Sequence, residues 1–201
     1  MATRDQHRER TGFGQTSRGW GELTDEQRQA WIAAARHVKS KSSPTPNRRR
    51  QGRLTGQMLF VKINNARRAC GQDLLTEPPE RPVFGLNPVG QLVITNRGGR
   101  ITLKLEVSKQ PAADIIVFGS RPCNRGVAKC FKGPRLGTLP APAGGLSDIT
   151  ELYVKKHGVP PVGKRLFIWT KQQINGWQEF PRETNAVVPA GPARGSQAKG
   201  A

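Results

Sequence analysis

The sequence predicts an α+β protein: a small helical hairpin followed by an antiparallel β-sandwich. Two observations carry this. As far as Gly71, apolar residues recur at the three-and-four spacing of helices, between recognisable start and stop signals. Beyond the stretch T-E-P-P-E-R-P the period drops to two, and Asn/Gly turns cut the chain into short strands. A third observation, 23 Gly and 16 Pro among 201 residues with hydrophobics at 35%, favours small modules with loose ends over one large core. The predicted plan is a disordered basic arm over 1–17, a helical hairpin with a basic linker over 18–71, the sandwich over 78–189, and a disordered tail over 190–201.

The arm is polar, mixed in charge and without an apolar period. The first helix opens at Thr24, an N-cap whose capping-box partner is Gln27 three residues on. Asp25 and Glu26 occupy its first turn, and Arg36, His37 and Lys39 its last, as the helix dipole favours. Ala30, Trp31, Ala34, Ala35 and Val38 form its apolar face. Pro44 and Pro46 then hold the chain extended through a linker that ends in Arg48, Arg49, Arg50 and Arg53, the densest positive cluster. A second helix is expected from Thr55 to just before Gly71, a C′ glycine. Leu54, Met58, Val61 and Ala69 give it an apolar side that Leu59, Phe60 and Ile63 broaden. Packed together, the pair would bury Trp31 against Met58 and Phe60.

T-E-P-P-E-R-P reads as a second linker. After it, Leu92 to Thr95 and Ile101 to Val107 read as a strand pair turned by N-R-G-G, with Ile101, Leu103, Leu105 and Val107 on one face. Residues 114–119 are a third strand, 127–131 a short fourth, and 133–145 a Gly/Pro-rich loop. Residues 147–158 read as a short helix capped by Ser147 and stopped by Gly158. Residues 165–171 and 176–180 make a closing hairpin through Asn175-Gly176, flanked by Trp169, Trp177 and Phe180. These aromatics are expected as cross-strand partners, or one of them as an outward anchor for a neighbouring subunit. So many short strands broken by turns suggest a sandwich of immunoglobulin or fibronectin type III kind. No Cys…Trp…Cys pattern is present, so only the architecture is expected.

The helical residues carry two resemblances. W-x-x-L-T-x-x-Q-R-x-A-W-x-x-x-A, over 20–35, resembles the later helical part of a high-mobility-group (HMG) box. L-T-G-Q-M-L-F-V-K-I-N, over 54–64, resembles the first helix of the same domain, here second in order. The opener also resembles that of uncharacterised bacterial and prophage proteins in which it precedes an immunoglobulin-like domain. The HMG resemblance implies a DNA-bending surface, with Met58 as the apolar wedge that enters a base step. The other implies an accessory part of a larger assembly, such as a phage or prophage virion. Met58 therefore serves two readings, wedge or core.

The net charge is +19, from 33 Lys and Arg against 14 acids, and it is spread along the whole chain. A polyanion is the natural partner: nucleic acid, an anionic surface or an acidic protein. Arg48, Arg49, Arg50, Arg53, Lys62, Arg67 and Arg68 are the expected contacts, with Trp31 and Phe60 as helical core. No apolar run approaches the ~20 residues that span a bilayer, so no membrane partner is expected. The polar N-terminus has no signal-peptide core, and a cytoplasmic location, or a virion, follows. Cys70, Cys123 and Cys130 are expected as reduced thiols, a Cys123–Cys130 loop disulfide being the alternative for a particle that leaves the cell.

No nucleophile, phosphate-loop or dinucleotide motif occurs; His7 lies in the arm, and His37 and His157 are expected at helix ends as partners of the helix dipole. The Cys123/Cys130 spacing is not that of a zinc hook. The expectation is a non-enzymatic structural or interaction protein in an oligomeric complex, with no catalytic residue, metal or cofactor. It would bind a protein partner, nucleic acid, or both. The alternative is an architectural DNA-binding protein acting through the helical pair.

Overall fold

A computed structural model of the chain describes residues 4–38, 53–130 and 133–191, with side chains from residue 11 onward. It divides into two compact units, one Met1–Val83 with Gln173–Gln178, the other Phe84–Gln172 with Glu179–Ala201.

The first unit holds α1 (Arg4–Glu22), α2 (Asp25–Ala35) and α3 (Gly56–Ala69). The expected arm over 1–17 is corrected: from Arg4 onward it is helix. Among its described side chains Gly12 and Thr16 are buried and Gly19 and Trp20 half-buried, and Leu23, just past its end, is buried too. Thr16 is fully buried, and its hydroxyl is satisfied by donating to the Gly12 carbonyl at 3.1 Å. Small residues bring α1 close to α3, so a Cβ on Gly19 would touch the Phe60 ring at 3.6 Å. Apart from Trp20, which meets the Phe60 ring edge-on at 5.7 Å, the α1 contact face is Gly and Thr and carries almost no hydrophobic periodicity, which is why the sequence reads as a loose arm.

The capping box of α2 forms as expected, with Gln27 N donating to Thr24 Oγ1 and Thr24 N to Gln27 Oε1. The helix ends at Ala35, so Arg36 is its C-cap and the expected basic last turn is absent; Lys39 lies outside the described residues. Thr55 caps α3, and Gly71, at φ +74°, follows its end. There the amides of Gln72 and Gly71 bond back to Arg67 and Arg68, which satisfies two carbonyls the helix leaves open. Trp31 is fully buried and meets Phe60 edge to face at 5.3 Å, as expected. Met58 is not in that core: it is 58% exposed.

The T-E-P-P-E-R-P segment is also corrected, since it is bound along the helical unit. Trp31 Nε1 donates to Thr76 O at 2.7 Å, and Trp177 Nε1 to Pro79 O at 3.1 Å. Arg67 Nε donates to Asp73 O at 2.7 Å. Prolines signal a linker in sequence, but the two buried indoles that hold the Thr76 and Pro79 carbonyls lie far away along the chain.

The second unit is built on two antiparallel sheets. β1 (Val89–Arg97), β2 (Arg100–Val107) and β5 (Leu146–Asp148) form one, in the order β1-β2-β5. β3 (Asp114–Gly119), β4 (Arg135–Thr138), β6 (Arg165–Ile174), β7 (Trp177–Gln178) and β8 (Arg182–Val187) form the other. There β4 pairs β3, β3 neighbours β6, and β6 pairs both β7 and β8. The last two residues of β6, with β7, belong to the helical unit. Both predicted turns form, the first tighter than the expected N-R-G-G break because β1 runs on to Arg97, with φ of +60° and +88° at Gly98-Gly99 and +48° and +88° at Asn175-Gly176. One core joins Val89, Leu92, Leu103 and Leu105 of the first sheet to Ile115, Val117, Leu166 and Ile168 of the second.

Four expectations for this unit are corrected. Val127 to Cys130 form no strand (Phe131 is outside the described residues), whereas β4 lies inside the expected 133–145 loop. A Cβ on Gly137 of β4 would meet the methyl end of the Leu152 side chain at 2.9 Å, so the glycine lets that side chain pack close to the strand. Ser147 is no cap: it lies in β5 and donates to Pro140 O, so α4 (Thr150–His157) begins later. β8 is too polar to show a period of two in the sequence; it pairs β6 from Arg165↔Val187 to Thr170↔Arg182.

Candidate polyanion-binding surfaces

Arg48, Arg49 and Arg50 lie outside the described residues. The chain departs near Val38 and returns at Leu54, whose amide donates to Val38 O at 3.3 Å. Arg53, beside that closure, is exposed. On α3, Met58 and Lys62 are one turn apart and both exposed, and Arg68 is exposed further along. Arg68 also lies against α1, since a Cβ on Gly12 would meet its guanidinium at 2.5 Å. Arg67 is committed to structure, bonding Asp73 O and, at 3.4 Å, Asn175 Oδ1. The predicted set therefore divides: Arg53, Lys62 and Arg68 face solvent, Arg67 braces the unit, and Trp31 and Phe60 are core.

The second unit holds a basic group that no single stretch of sequence announces. Its signal is local composition: residues 119–165 contain nine Lys and Arg against two acids. Backbone bonds tie the loop after β3 to the start of β6, with Ser120 N donating to Phe167 O and Cys123 and Arg165 exchanging amide–carbonyl bonds at 2.9 Å. From α4, the buried Tyr153 hydroxyl donates to Ser120 O at 2.9 Å. Burial pushes that phenol well above its ordinary pKa, with the nearby Cys123 adding to the shift. Lys164 Nζ donates to Asn124 Oδ1 at 2.7 Å.

Loop, helix end and strand start thus form one fixed platform. Lys155, Lys156 and His157 fill the last turn of α4, where the helix dipole favours positive charge. His157 Nε2 lies 3.2 Å from Gly119 O, and since a carbonyl only accepts, the ring donates. Burial holds the His157 pKa below 6.5 against the pull of that carbonyl, and Arg121 and Lys156 lower it further. Arg121, Arg125, Lys129 and Lys155 are exposed and, among the described residues, make no ion pair.

Cys70, Cys123 and Cys130 are free thiols. Among the described residues, no three His, Cys, Asp or Glu side chains come together as metal ligands, and no helix is long and apolar enough to cross a membrane. The carboxylates near the sheets are engaged structurally: Glu179 accepts from the Gln172 amide at 2.8 Å, and Glu183 from Trp169 Nε1 at 2.8 Å. No family model, curated protein or solved structure matches this chain.

Proposed function

We infer that this is a non-enzymatic interaction protein that binds a polyanion, as an accessory component of a larger assembly. The observation that carries the reading is the charge of +19, borne in part by exposed Lys and Arg on both units. An excess of like charge on the surface repels itself, and a polyanion relieves that repulsion while releasing its counterions. A virion of phage or prophage origin is one such assembly, in line with the resemblance of the helical opener, and the β-rich unit fits an immunoglobulin-like adhesive module. Binding of the whole chain to random-sequence duplex DNA across a salt series tests the reading. Reversal of Arg48, Arg49, Arg50 and Arg53 to Glu should weaken binding, and the slope of log K against log salt should shrink by up to about 0.9 for each phosphate no longer neutralised. Binding that is absent at low salt would refute it.

A second reading, an architectural DNA-binding protein, is favoured by Met58. A large apolar side chain left 58% exposed, one turn from an exposed lysine, is what an intercalating wedge requires. It agrees with the HMG-like pattern of the same helix.

A further inference from the structure

We propose, resting on the polyanion reading above, that the α4 end of the β-rich unit is a second phosphate-binding surface, which grips the backbone of duplex nucleic acid. Phosphate contact needs cations that are exposed, unneutralised and fixed in place. Arg121 and Arg125 meet the first two conditions, and the loop bearing them is pinned by the Cys123–Arg165 bridge and the Tyr153–Ser120 bond. Lys155 comes from a different element, the last turn of α4, so the cations are not a single flexible run. Among the described residues of the platform, no aromatic ring is exposed for base stacking, which favours a duplex backbone over a single strand.

The neighbouring segment between α4 and β6 exposes Val159 (63%) and Val162 (52%). Two valines separated by Pro160 and Pro161 offer little apolar area to a lipid surface, and no Trp, Phe or Leu accompanies them there. Nucleic acid is therefore the better-matched polyanion, and an anionic membrane is the competing outcome.

The test uses the full chain and a labelled random-sequence duplex, titrated across a salt series. Arg121→Glu/Arg125→Glu/Lys155→Glu should weaken binding about tenfold or more and flatten the salt slope, by up to about 0.9 for each phosphate released. The milder Gln triple should show the same trend if the Glu triple folds poorly, as judged by its thermal melt. Lys62→Glu/Arg68→Glu tests the helical unit separately. Wild-type binding reduced less than about threefold by either triple overturns the inference and leaves the polyanion reading standing. Failure of the wild type to bind overturns both. Preferential binding to phosphatidylserine vesicles, abolished by Val159→Asp/Val162→Asp, would replace nucleic acid with a membrane and also overturn the inference.

Discussion

Asn64 clamps Leu75 from both sides: its Nδ2 donates to Leu75 O at 3.0 Å, and its Oδ1 accepts from Leu75 N at 2.8 Å. The amide is fully buried in α3, so it replaces water for a backbone pair eleven residues away. This single side chain fixes the segment that carries Thr76 to Trp31. Asn64→Ala leaves two backbone groups short of partners and should cost about 2–4 kcal/mol in denaturant unfolding. Asn64→Asp keeps the acceptor but aims negative charge at a carbonyl, and should be no better than Ala. A loss below about 0.5 kcal/mol would show that water substitutes for the amide.

Two helix glycines should respond oppositely to alanine. At Gly56 a Cβ would lie 2.7 Å from Ile32 Cγ1 and 2.9 Å from its backbone nitrogen, where neither helix can yield cheaply. Gly56→Ala should therefore destabilise by about 1–3 kcal/mol despite the gain in helix propensity. At Gly12 the obstacle is the movable end of Arg68, so Gly12→Ala should range from neutral to about 1 kcal/mol stabilising. Paired thermal melts would decide, and equal effects would mean that α1 and α2 approach α3 differently.

The contrast between near and distant partners sets what the sequence makes legible. Thr24, Thr55, Gly71 and both turn pairs are readable because caps and tight turns depend on residues close in the chain. The alternation from Ile101 to Val107 is readable because one face of β2 is buried. α1 escapes notice since, Trp20 apart, its contact face is made of small residues, and the 72–80 segment since Asn64, Trp31 and Trp177 act on it across long separations. Of the candidate phosphate ligands, Arg67 looks like Arg68 in sequence, and only the position of Asp73 O tells them apart. The β-unit cations come from a loop, a helix end and a strand start, which no linear motif collects.

His157 should set part of the acid sensitivity of the β-rich unit. Its folded pKa lies below the ordinary 6.5, first because of burial and then because of Arg121 and Lys156. The unfolded chain therefore takes up the proton more readily. Stability from this group is complete above about pH 6.5 and is lost as pH falls through the lower folded value. His157→Gln keeps a donor for Gly119 O and should flatten that limb of a pH–stability curve. Asp148 contributes separately and lower: its Thr150 hydrogen bonds, with Lys104 and Arg100, outweigh burial and hold its pKa below 3.8. Its share is present above that value and is lost as pH falls through the folded pKa. A His157→Gln curve that parallels the wild type between about pH 5 and 7 would remove His157 from the account.

Met58 separates the two functional readings most sharply, because its substitution is structurally cheap. The side chain is largely exposed at the first turn of α3, and its backbone amide is already held by Thr55 Oγ1 at 3.1 Å. Met58→Ala should change stability by no more than about 0.5 kcal/mol. If the helical unit bends DNA by wedging, the variant should lose most of the bend in end-labelled duplex fluorescence transfer, while phosphate-driven affinity falls much less. Lys62→Gln should do the reverse, lowering affinity and the salt slope by up to about 0.9 with the bend angle of bound duplex kept. An unbent wild-type complex, or equal bending by Met58→Ala, would leave Met58 no role as a wedge. The helical unit would then act through its charges alone.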